Sequence, residues 1–278
     1  MRITHEQIET FHQQGVVIIP NFLTAAETRA ARDAFNTVHP NYDEWVKRGR
    51  PTPNPARRSG VDMFPWTDSR LSFTATHPEI IAAAERLIGT REIRLCDGDI
   101  SVRYAGDRSD TGFHVDYGNN TLGPYLPRDR TNVSFIITFE DITAETAPTY
   151  MIPDGKSDRD GIHMIAPAGS VCIYSSISTR HTSTPFLGAT GYRALMWAIF
   201  CRKDRPWDGG RSFTYKGGVP NDAMHAFIST ASTRQLELLG FPPPGDPLWT
   251  EEFAAAMAQR YPGFDASRYA SKPAMAMA

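Results

Sequence analysis

The stretch AGSVCIYSSISTRHTSTPFLGATGYRALMWAIFCR, residues 168–202, contains three short runs of apolar or alternating residues. Turn-forming residues separate the runs, which are GSVCIYSS, RHTSTP and YRALMWAIFCR. Short runs that are rich in β-branched and aromatic residues and bounded by Gly, Pro or Ser are typical of β-strands. This stretch therefore predicts three strands.

The same pattern extends upstream to residue 93. Five further runs have strand character: IRLCDGDISVRYA, TGFHVDYG, TNVSFIITFEDI, APTYMIP and GIHMIAP. The turn signals PDG and PAG fall between these runs. A total of about eight strands is expected of a jelly roll or a related double-sheet barrel. We therefore predict a mainly β fold with a jelly-roll core over residues 93–202.

Helices are predicted on both sides of this core. Two capping boxes, Thr4 with Gln7 and Thr24 with Glu27, begin the first two helices, and a third helix follows Pro78. Helical patterns return after residue 220. We expect one domain over residues 1–278. Its parts are N-terminal helices and a lid loop (1–92), the core (93–202), a C-terminal helical extension (203–270) and a tail (271–278).

Residues 39–72 are predicted to form the lid loop. This segment contains several prolines, scattered basic residues and aromatic residues, without a clear period. A long loop in a compact domain is often a lid or a binding loop. Its basic residues could meet an anionic substrate, or they could form an ordinary solvated face.

Composition excludes several classes of partner. The chain has 29 basic and 31 acidic residues and a net charge of −2, so we expect binding to neither nucleic acid nor anionic lipid. The longest apolar run, ALMWAIFC, is too short to span a bilayer, and the N-terminal residues lack the apolar segment of a secretion signal. Three widely spaced cysteines favour a reduced, cytoplasmic location. The expected partner is a small-molecule substrate, and the sequence leaves the oligomeric state open.

The segment GFHVDYGNN, residues 112–120, places His114 and Asp116 two positions apart. On a strand both side chains would project to the same face. Such a pair, with one more histidine, makes the two-His-one-carboxylate site of non-haem Fe(II) oxygenases. The spacing alone fits a polar sheet edge equally well. A similar pair, His77 and Glu79, lies at a helix start, where we expect Glu79 to serve the cap at Thr76.

His163 and His181 are the two candidates for the distal histidine. His181 is followed by Ser183 and then by Arg193 at the start of the last strand, whereas His163 has no downstream arginine at that spacing. Arginine can hold a carboxylate by two parallel hydrogen bonds, as a dicarboxylate co-substrate would require. We therefore favour His181 and expect His163 to be structural.

At this point the chain resembles the phytanoyl-CoA dioxygenase family of Fe(II)/2-oxoglutarate-dependent oxygenases. The segment ITHEQIETFHQQGVVIIPNFLTAAE is similar to the opening of that family, and GFHVDYG resembles its first metal motif. AGSVCIYSSISTRHTST followed by GYRALMWAIF resembles the distal histidine and the 2-oxoglutarate arginine. The turn MIPDGKSD departs from the family because it lacks the usual histidine.

The resemblance implies a double-stranded β-helix, a cupin-like jelly roll, with a specific set of site residues. His114, Asp116 and His181 would be the catalytic iron ligands, and Ser183 and Arg193 would bind the distal carboxylate of 2-oxoglutarate. The implied cofactors are Fe(II), 2-oxoglutarate and O2. The implied products are succinate, CO2 and, by default, a hydroxylated substrate. Asp116 argues against a halogenase, because related halogenases have a small residue in its place.

Other residues near the metal motif could be co-substrate contacts or merely polar positions at a sheet edge. These are Arg103, Tyr104, Asn119, Asn120 and Thr131, of which Arg103 and Thr131 are our candidates for cofactor binding. The role of Tyr117 stays open, and Phe64 and Trp66 could line a pocket or pack in the core. Two alternatives also remain. One keeps the cofactors but performs desaturation, epoxidation or rearrangement, and the other is a non-catalytic or isomerase-type metal-binding jelly roll.

Overall fold

The fold is described by a computed structural model, which covers residues 2–51, 64–116, 130–204, 225, 228–238 and 241–269. The helices are α1 (His5–Gln14), α2 (Ala25–Val38), α3 (Tyr42–Lys47), α4 (Ser69–Ala75), α5 (Pro78–Ile88), α6 (Thr233–Leu238) and α7 (Glu251–Arg260), with a 3-10 helix at Ala266–Tyr269. The strands are β1 (Val16–Ile19), β2 (Ile93–Tyr104), β3 (Asn132–Thr138), β4 (Thr149–Ile152), β5 (Ile162–His163), β6 (Val171–Tyr174), β7 (Arg180–Ser183) and β8 (Tyr192–Arg202).

Two antiparallel sheets form the core. The large sheet has the strand order β1-β6-β3-β8-β2, and the small sheet has the order β5-β4-β7. Between them Ile136, Tyr174 and Leu195 of the large sheet pack with Met151 of the small sheet in one buried cluster. The predicted jelly-roll fold is confirmed.

The opposite face of the large sheet is covered by the N-terminal helices. Phe35 of α2, Leu71 of α4 and Ile80 of α5 join Phe135 and Met196 of the sheet in the largest buried cluster. Successive residues of a strand point to opposite faces. Nearly all residues of β8 are buried, so both faces of this strand are covered. Its residues Arg193, Leu195, Trp197 and Ile199 therefore face the interior between the sheets.

The predicted strand at TGFHVDYG is not a regular strand in the described residues of this segment. Within residues 111–116 only His114 makes a β-bridge, and Asp116 lies in a bend. The carboxylate of Asp110 accepts a hydrogen bond from Gly112 N, and Gly112 has a left-handed backbone with φ of +67°. This local turn interrupts extended pairing just before the motif.

The expectation of a loop over residues 39–72 was partly wrong. Asn41 caps α3 by accepting from Glu44 N, and Asp68 caps α4 by accepting from Arg70 N. The many prolines of the segment obscured these two caps. Residues 52–63 lie outside the described part of the chain, so the lid stays a prediction.

Helix α5 also begins differently from our expectation. Pro78 occupies its first turn, and the residue before a proline is held in an extended conformation. His77 is therefore the cap, and its side chain accepts from Glu79 N. Glu79 does not serve Thr76, because its carboxylate accepts from Arg2 N instead.

Near the C-terminus, α6, α7 and the 3-10 helix contribute to a separate buried cluster that includes Leu236, Phe253 and Tyr269. Ser232 and Gln235 form a reciprocal capping pair at the start of α6, because Ser232 N donates to Gln235 Oε1 and Gln235 N donates to Ser232 Oγ. Across the described ranges, no helix has the length and apolar character needed to cross a membrane. Cys96, Cys172 and Cys201 form no disulfide with one another. The division into parts and the single-domain assignment stay predictions.

Gly15 connects α1 to the interior of the barrel. It ends α1 in a left-handed conformation, with φ of +73°. A Cβ atom at this position would lie 2.9 Å from both Asp154 Oδ1 and Thr179 Oγ1. The carbonyl of Gly15 accepts hydrogen bonds from Thr179 Oγ1 and Ser175 N. Only glycine satisfies both the backbone conformation and the close approach.

Gly15→Ala is therefore expected to destabilise the protein by about 2–5 kcal/mol, through left-handed strain and overpacking. Gly89→Ala is the matched control, because Gly89 ends α5 with φ of +82° and a Cβ there would meet nothing within 4 Å. That variant should lose only about 1–2 kcal/mol. Urea unfolding measures both, and equal losses would contradict the close-approach argument.

Candidate metal centre

The backbones of His114 and His181 are paired directly. His114 N donates to His181 O at 3.0 Å, and His181 N donates to His114 O at 2.9 Å. An antiparallel pair that exchanges both hydrogen bonds places the two side chains next to each other. The imidazole centroids are 4.4 Å apart, although the residues are far apart in the chain. Because β7 belongs to the small sheet, this bridge also attaches the metal motif to that sheet.

Both imidazoles have their Nδ1 atoms engaged with backbone carbonyls. His114 Nδ1 is 2.8 Å from Gly112 O, and His181 Nδ1 is 3.1 Å from Thr179 O. A carbonyl oxygen can only accept, so each Nδ1 carries the proton of the bond. In the neutral ring Nε2 then keeps its lone pair, as a metal-binding histidine requires.

Asp116 directs one carboxylate oxygen at both rings. Its Oδ1 is 3.8 Å from His114 Nε2 and 3.5 Å from His181 Nε2. The other oxygen, Oδ2, accepts a hydrogen bond from the hydroxyl of the fully buried Tyr174. Burial raises the pKa of Asp116, but the neighbouring His181, Tyr174 and His114 outweigh it and lower the pKa to about 2.

The pKa of His181 responds in the opposite direction. Burial would lower it, but the charge and hydrogen bond of Asp116 and the Thr179 carbonyl raise it overall. The carboxylate charge of Asp116 thus favours positive charge beside it. Metal binding replaces ligand protons with a cation, which the same carboxylate charge favours.

One atom from each of the three predicted ligands comes together, and these atoms all lie within 4.8 Å of one another. This is the one such group of histidine, cysteine and acidic residues in the described part of the chain. Two imidazoles and one carboxylate on one side of an ion are the donor set of non-haem Fe(II) oxygenases. Asp116 and His181 are buried, whereas the His114 side chain is 42% exposed, so the site opens to solvent beside His114. The residues fit an iron site.

Arg193 and Ser183 lie buried in the barrel. Arg103 shares this region, since its Nη2 donates to Ser183 Oγ at 2.7 Å. Its Nη1 donates to the carbonyls of Ser109 and Thr184. Arg103 therefore positions Ser183 and the neighbouring backbone. Arg193 Nη1 donates to Ala147 O.

Arg103 and Arg193 are also cross-strand partners in the β2–β8 ladder. Both side chains are almost completely buried. Like charges directly opposite each other destabilise a sheet, and a buried cation needs a compensating anion. Asp107 lies 3.9 Å from Arg103 Nε and supplies part of that charge.

Three other predicted positions have surroundings that differ from those of Arg193 and Ser183. The carbonyl of Thr131 accepts from Arg202 N, nine residues along β8 from Arg193, which corresponds to roughly 30 Å of strand. Tyr104 donates to Pro40 O and stacks on Trp45 on the helix side of the large sheet. His163 is exposed against Tyr150 on the small sheet.

Two further aromatic positions also lie away from the interior. Trp66 packs in the helix-side cluster, and a Cβ atom on Gly98 would touch both Phe64 and Trp66. Tyr117, Asn119 and Asn120 lie outside the described residues.

Sequence reasoning missed Tyr174 and the role of the PDGKSD turn. The alternation of GSVCIYSS is compatible with an inward Tyr174, but its partner Asp116 is 58 residues away along the chain. In the turn, Asp154 binds Arg130 Nη2 at 2.5 Å and Asp154 N donates to Gln14 O. The turn that lacks the family's usual histidine is thus held by a salt bridge between Asp154 and Arg130.

Comparison with solved structures gives the fold independently. The α-ketoglutarate-dependent carbocyclase SnoK from nogalamycin biosynthesis matches at 19% identity, with a TM-score of 0.58 over 79% of this chain and 94% of its own. EctD from S. alaskensis, solved with 2-oxoglutarate and 5-hydroxyectoine, matches at 13% identity, with a TM-score of 0.58 over 81% and 83%. The non-haem monooxygenase ThoJ, as a Ni complex, matches at 18% identity, with a TM-score of 0.55 over 92% and 94%.

Comparison with family models identifies the sequence family. No curated protein matches the chain. The model of the family described as phytanoyl-CoA dioxygenase (PhyH) matches residues 11–167, which is more than half of the chain and includes His114 and Asp116. The protein therefore belongs to the phytanoyl-CoA dioxygenase family of Fe(II)/2-oxoglutarate-dependent oxygenases.

Proposed function

We propose that this enzyme hydroxylates a small-molecule substrate at an iron ion bound by His114, Asp116 and His181. The convergence of one atom from each residue within 4.8 Å is the observation that carries the proposal. When bound, Fe(II) with 2-oxoglutarate and O2 supplies the oxidising chemistry, with release of succinate and CO2. The protein supplies the ligands, their orientation and the co-substrate pocket.

Each ligand is oriented by a partner in this chain. The Gly112 and Thr179 carbonyls set the two histidine tautomers, and Tyr174 binds the carboxylate oxygen that points away from the rings. Such partners keep ligand atoms in place and tune their basicity. The exposed side of His114 supports entry of the substrate from that direction.

Arg193 and Ser183 are proposed to bind the distal carboxylate of 2-oxoglutarate. Ser183 lies two residues beyond His181 on β7, and both side chains take the same face of the strand. An elongated dicarboxylate could therefore extend from the metal towards Ser183. Arg103 holds Ser183 Oγ, so its proposed role is positioning.

The small-molecule substrate, the absence of nucleic-acid and membrane partners and the cytoplasmic location are also proposals. The partner proposals follow from the near-neutral charge, and three cysteines that form no disulfide support the cytoplasmic location. Desaturation, epoxidation and rearrangement share this ligand set, so analysis of the oxidised product distinguishes them from hydroxylation. A non-catalytic jelly roll would give no turnover of 2-oxoglutarate.

Replacing His114 by alanine should abolish turnover, because one of the three ligand atoms is lost. We expect succinate release under Fe(II), O2 and 2-oxoglutarate to fall by at least about 100-fold. His163→Ala is the control, since His163 is an exposed strand histidine. Equal activity of the wild type and His114→Ala would exclude the proposed iron site. Absence of both turnover and 2-oxoglutarate binding in the iron-loaded wild type would exclude the oxygenase.

Arg193→Leu should raise the 2-oxoglutarate concentration needed for half-maximal succinate release by about 10- to 100-fold, the effect of losing a charge-assisted hydrogen-bond pair. Iron affinity should change little, because Arg193 is not among the ligands. Arg202→Leu, on the same strand, removes a more exposed arginine paired with Asp204 and should leave this requirement unchanged. An unchanged requirement in Arg193→Leu would contradict the anchor.

A further inference from the structure

The hydroxyl of Tyr174 has a specific place in the metal centre. Tyr174 is fully buried on the interior face of β6 and packs between the sheets with Met151 and Leu195. Its ring meets that of His181 edge-on, with the centroids 4.9 Å apart. Its hydroxyl donates to Asp116 Oδ2. One side chain thus contacts two of the proposed ligands.

The two oxygens of Asp116 have different surroundings. Oδ1 faces both imidazole Nε2 atoms, at 3.8 and 3.5 Å. Oδ2 is the oxygen that holds the Tyr174 hydroxyl. An oxygen that accepts a hydrogen bond from a fixed donor is less available as a second metal ligand, since chelation would require the carboxylate to turn and lose that bond.

The number of Asp116 oxygens that bind the metal determines how many coordination positions stay open. A two-His-one-carboxylate site leaves three open positions on a six-coordinate ion only if the carboxylate uses one oxygen. Chelation of a 2-oxo acid takes two of those positions, and O2 needs the third. A carboxylate that used both oxygens would leave too few positions for both molecules.

We propose that Tyr174 is a positioning residue that restricts Asp116 to one metal-binding oxygen and thereby keeps the position needed for 2-oxoglutarate and O2 open. This inference rests on the proposed function, because it assumes that His114, Asp116 and His181 hold the ion. It adds the requirement that Asp116 binds the metal through one oxygen, which the identity of the three ligands alone does not impose. The interaction that imposes it joins β6 of the large sheet to the metal motif.

Tyr174→Phe tests the proposal because it removes only the hydroxyl and keeps the ring that packs between the sheets. The substitution removes the hydrogen bond that opposes rotation of Asp116 Oδ2 towards the metal. We expect the affinity of the apoprotein for Co(II) to stay within about threefold of the wild type. At saturating Co(II), the affinity for 2-oxoglutarate should fall by about 10- to 100-fold, a loss of the size that removal of a metal ligand's partner typically causes in activity.

Tyr104→Phe is the matched control. Tyr104 is also a buried tyrosine, and its hydroxyl donates to Pro40 O at 2.6 Å, on the helix side of the large sheet. Tyr104→Phe therefore measures the general effect of removing a buried tyrosine hydroxyl. Both affinities should stay at the wild-type value in this variant. A loss of 2-oxoglutarate affinity in Tyr104→Phe equal to that in Tyr174→Phe would overturn the proposal.

The number of water molecules on the bound metal gives a direct readout that does not depend on activity. Mn(II) is loaded into each protein without 2-oxoglutarate, and its hydration number is measured by water relaxation. One carboxylate oxygen predicts about three waters in the wild type, and two oxygens predict about two in Tyr174→Phe. The wild-type measurement tests the proposal even if the variant does not fold.

The outcomes separate this inference from the proposed function. The proposed iron site itself would be contradicted if the wild type failed to bind Co(II) or Mn(II), or if His114→Ala bound them as well as the wild type. Metal binding by the wild type with only about two waters would overturn the role of Tyr174 alone. So would a Tyr174→Phe variant whose 2-oxoglutarate affinity at saturating Co(II) equals that of the wild type.

Discussion

The paired backbone hydrogen bonds between His114 and His181 connect the two halves of the proposed metal centre. His181 belongs to a regular strand of the small sheet, whereas His114 makes an isolated bridge in an irregular segment. The bridge fixes their separation without requiring a long strand around His114. Once it forms, the carbonyls of Gly112 and Thr179 direct both Nε2 atoms towards Asp116. The placement of the two imidazoles thus follows from one bridge and two short-range hydrogen bonds.

Charge imposes a second constraint on the interior. Asp116, Arg103 and Arg193 are all buried, and burial of a charge is costly unless other charges and hydrogen bonds compensate it. The carboxylate is compensated by two imidazoles and a tyrosine hydroxyl. The arginines lie opposite each other and are held in part by backbone carbonyls. An interior of this kind favours a cation at one place and a dianion at another, which is the cofactor pair that we propose.

Local sequence signals predicted much of the fold because their physical causes are local. The capping boxes at Thr4 and Thr24 are both formed. The segment YRALMWAIFCR, which has apolar residues on both faces of the predicted strand, corresponds to a strand buried on both faces. The interruption at Gly112 was missed because a period of two does not reveal a turn that Asp110 stabilises. The family resemblance supplied the ligand set, but the bond between Tyr174 and Asp116 depends on packing between distant segments. No local pattern could have predicted it.

The match to the family model ends at residue 167, before His181 and Arg193. The structure connects the later segment to the matched one through Gly15, whose carbonyl accepts from Thr179 Oγ1. The carbonyl of Thr179 in turn binds the His181 imidazole. A glycine at the end of the first helix is therefore two hydrogen bonds from His181, the proposed distal ligand. Because that path requires close approach at Gly15, a side chain there should disturb His181 as well as the fold. The N-terminal opening and the distal histidine are thus parts of one packed unit, and the distal assignment has a physical link to the matched segment.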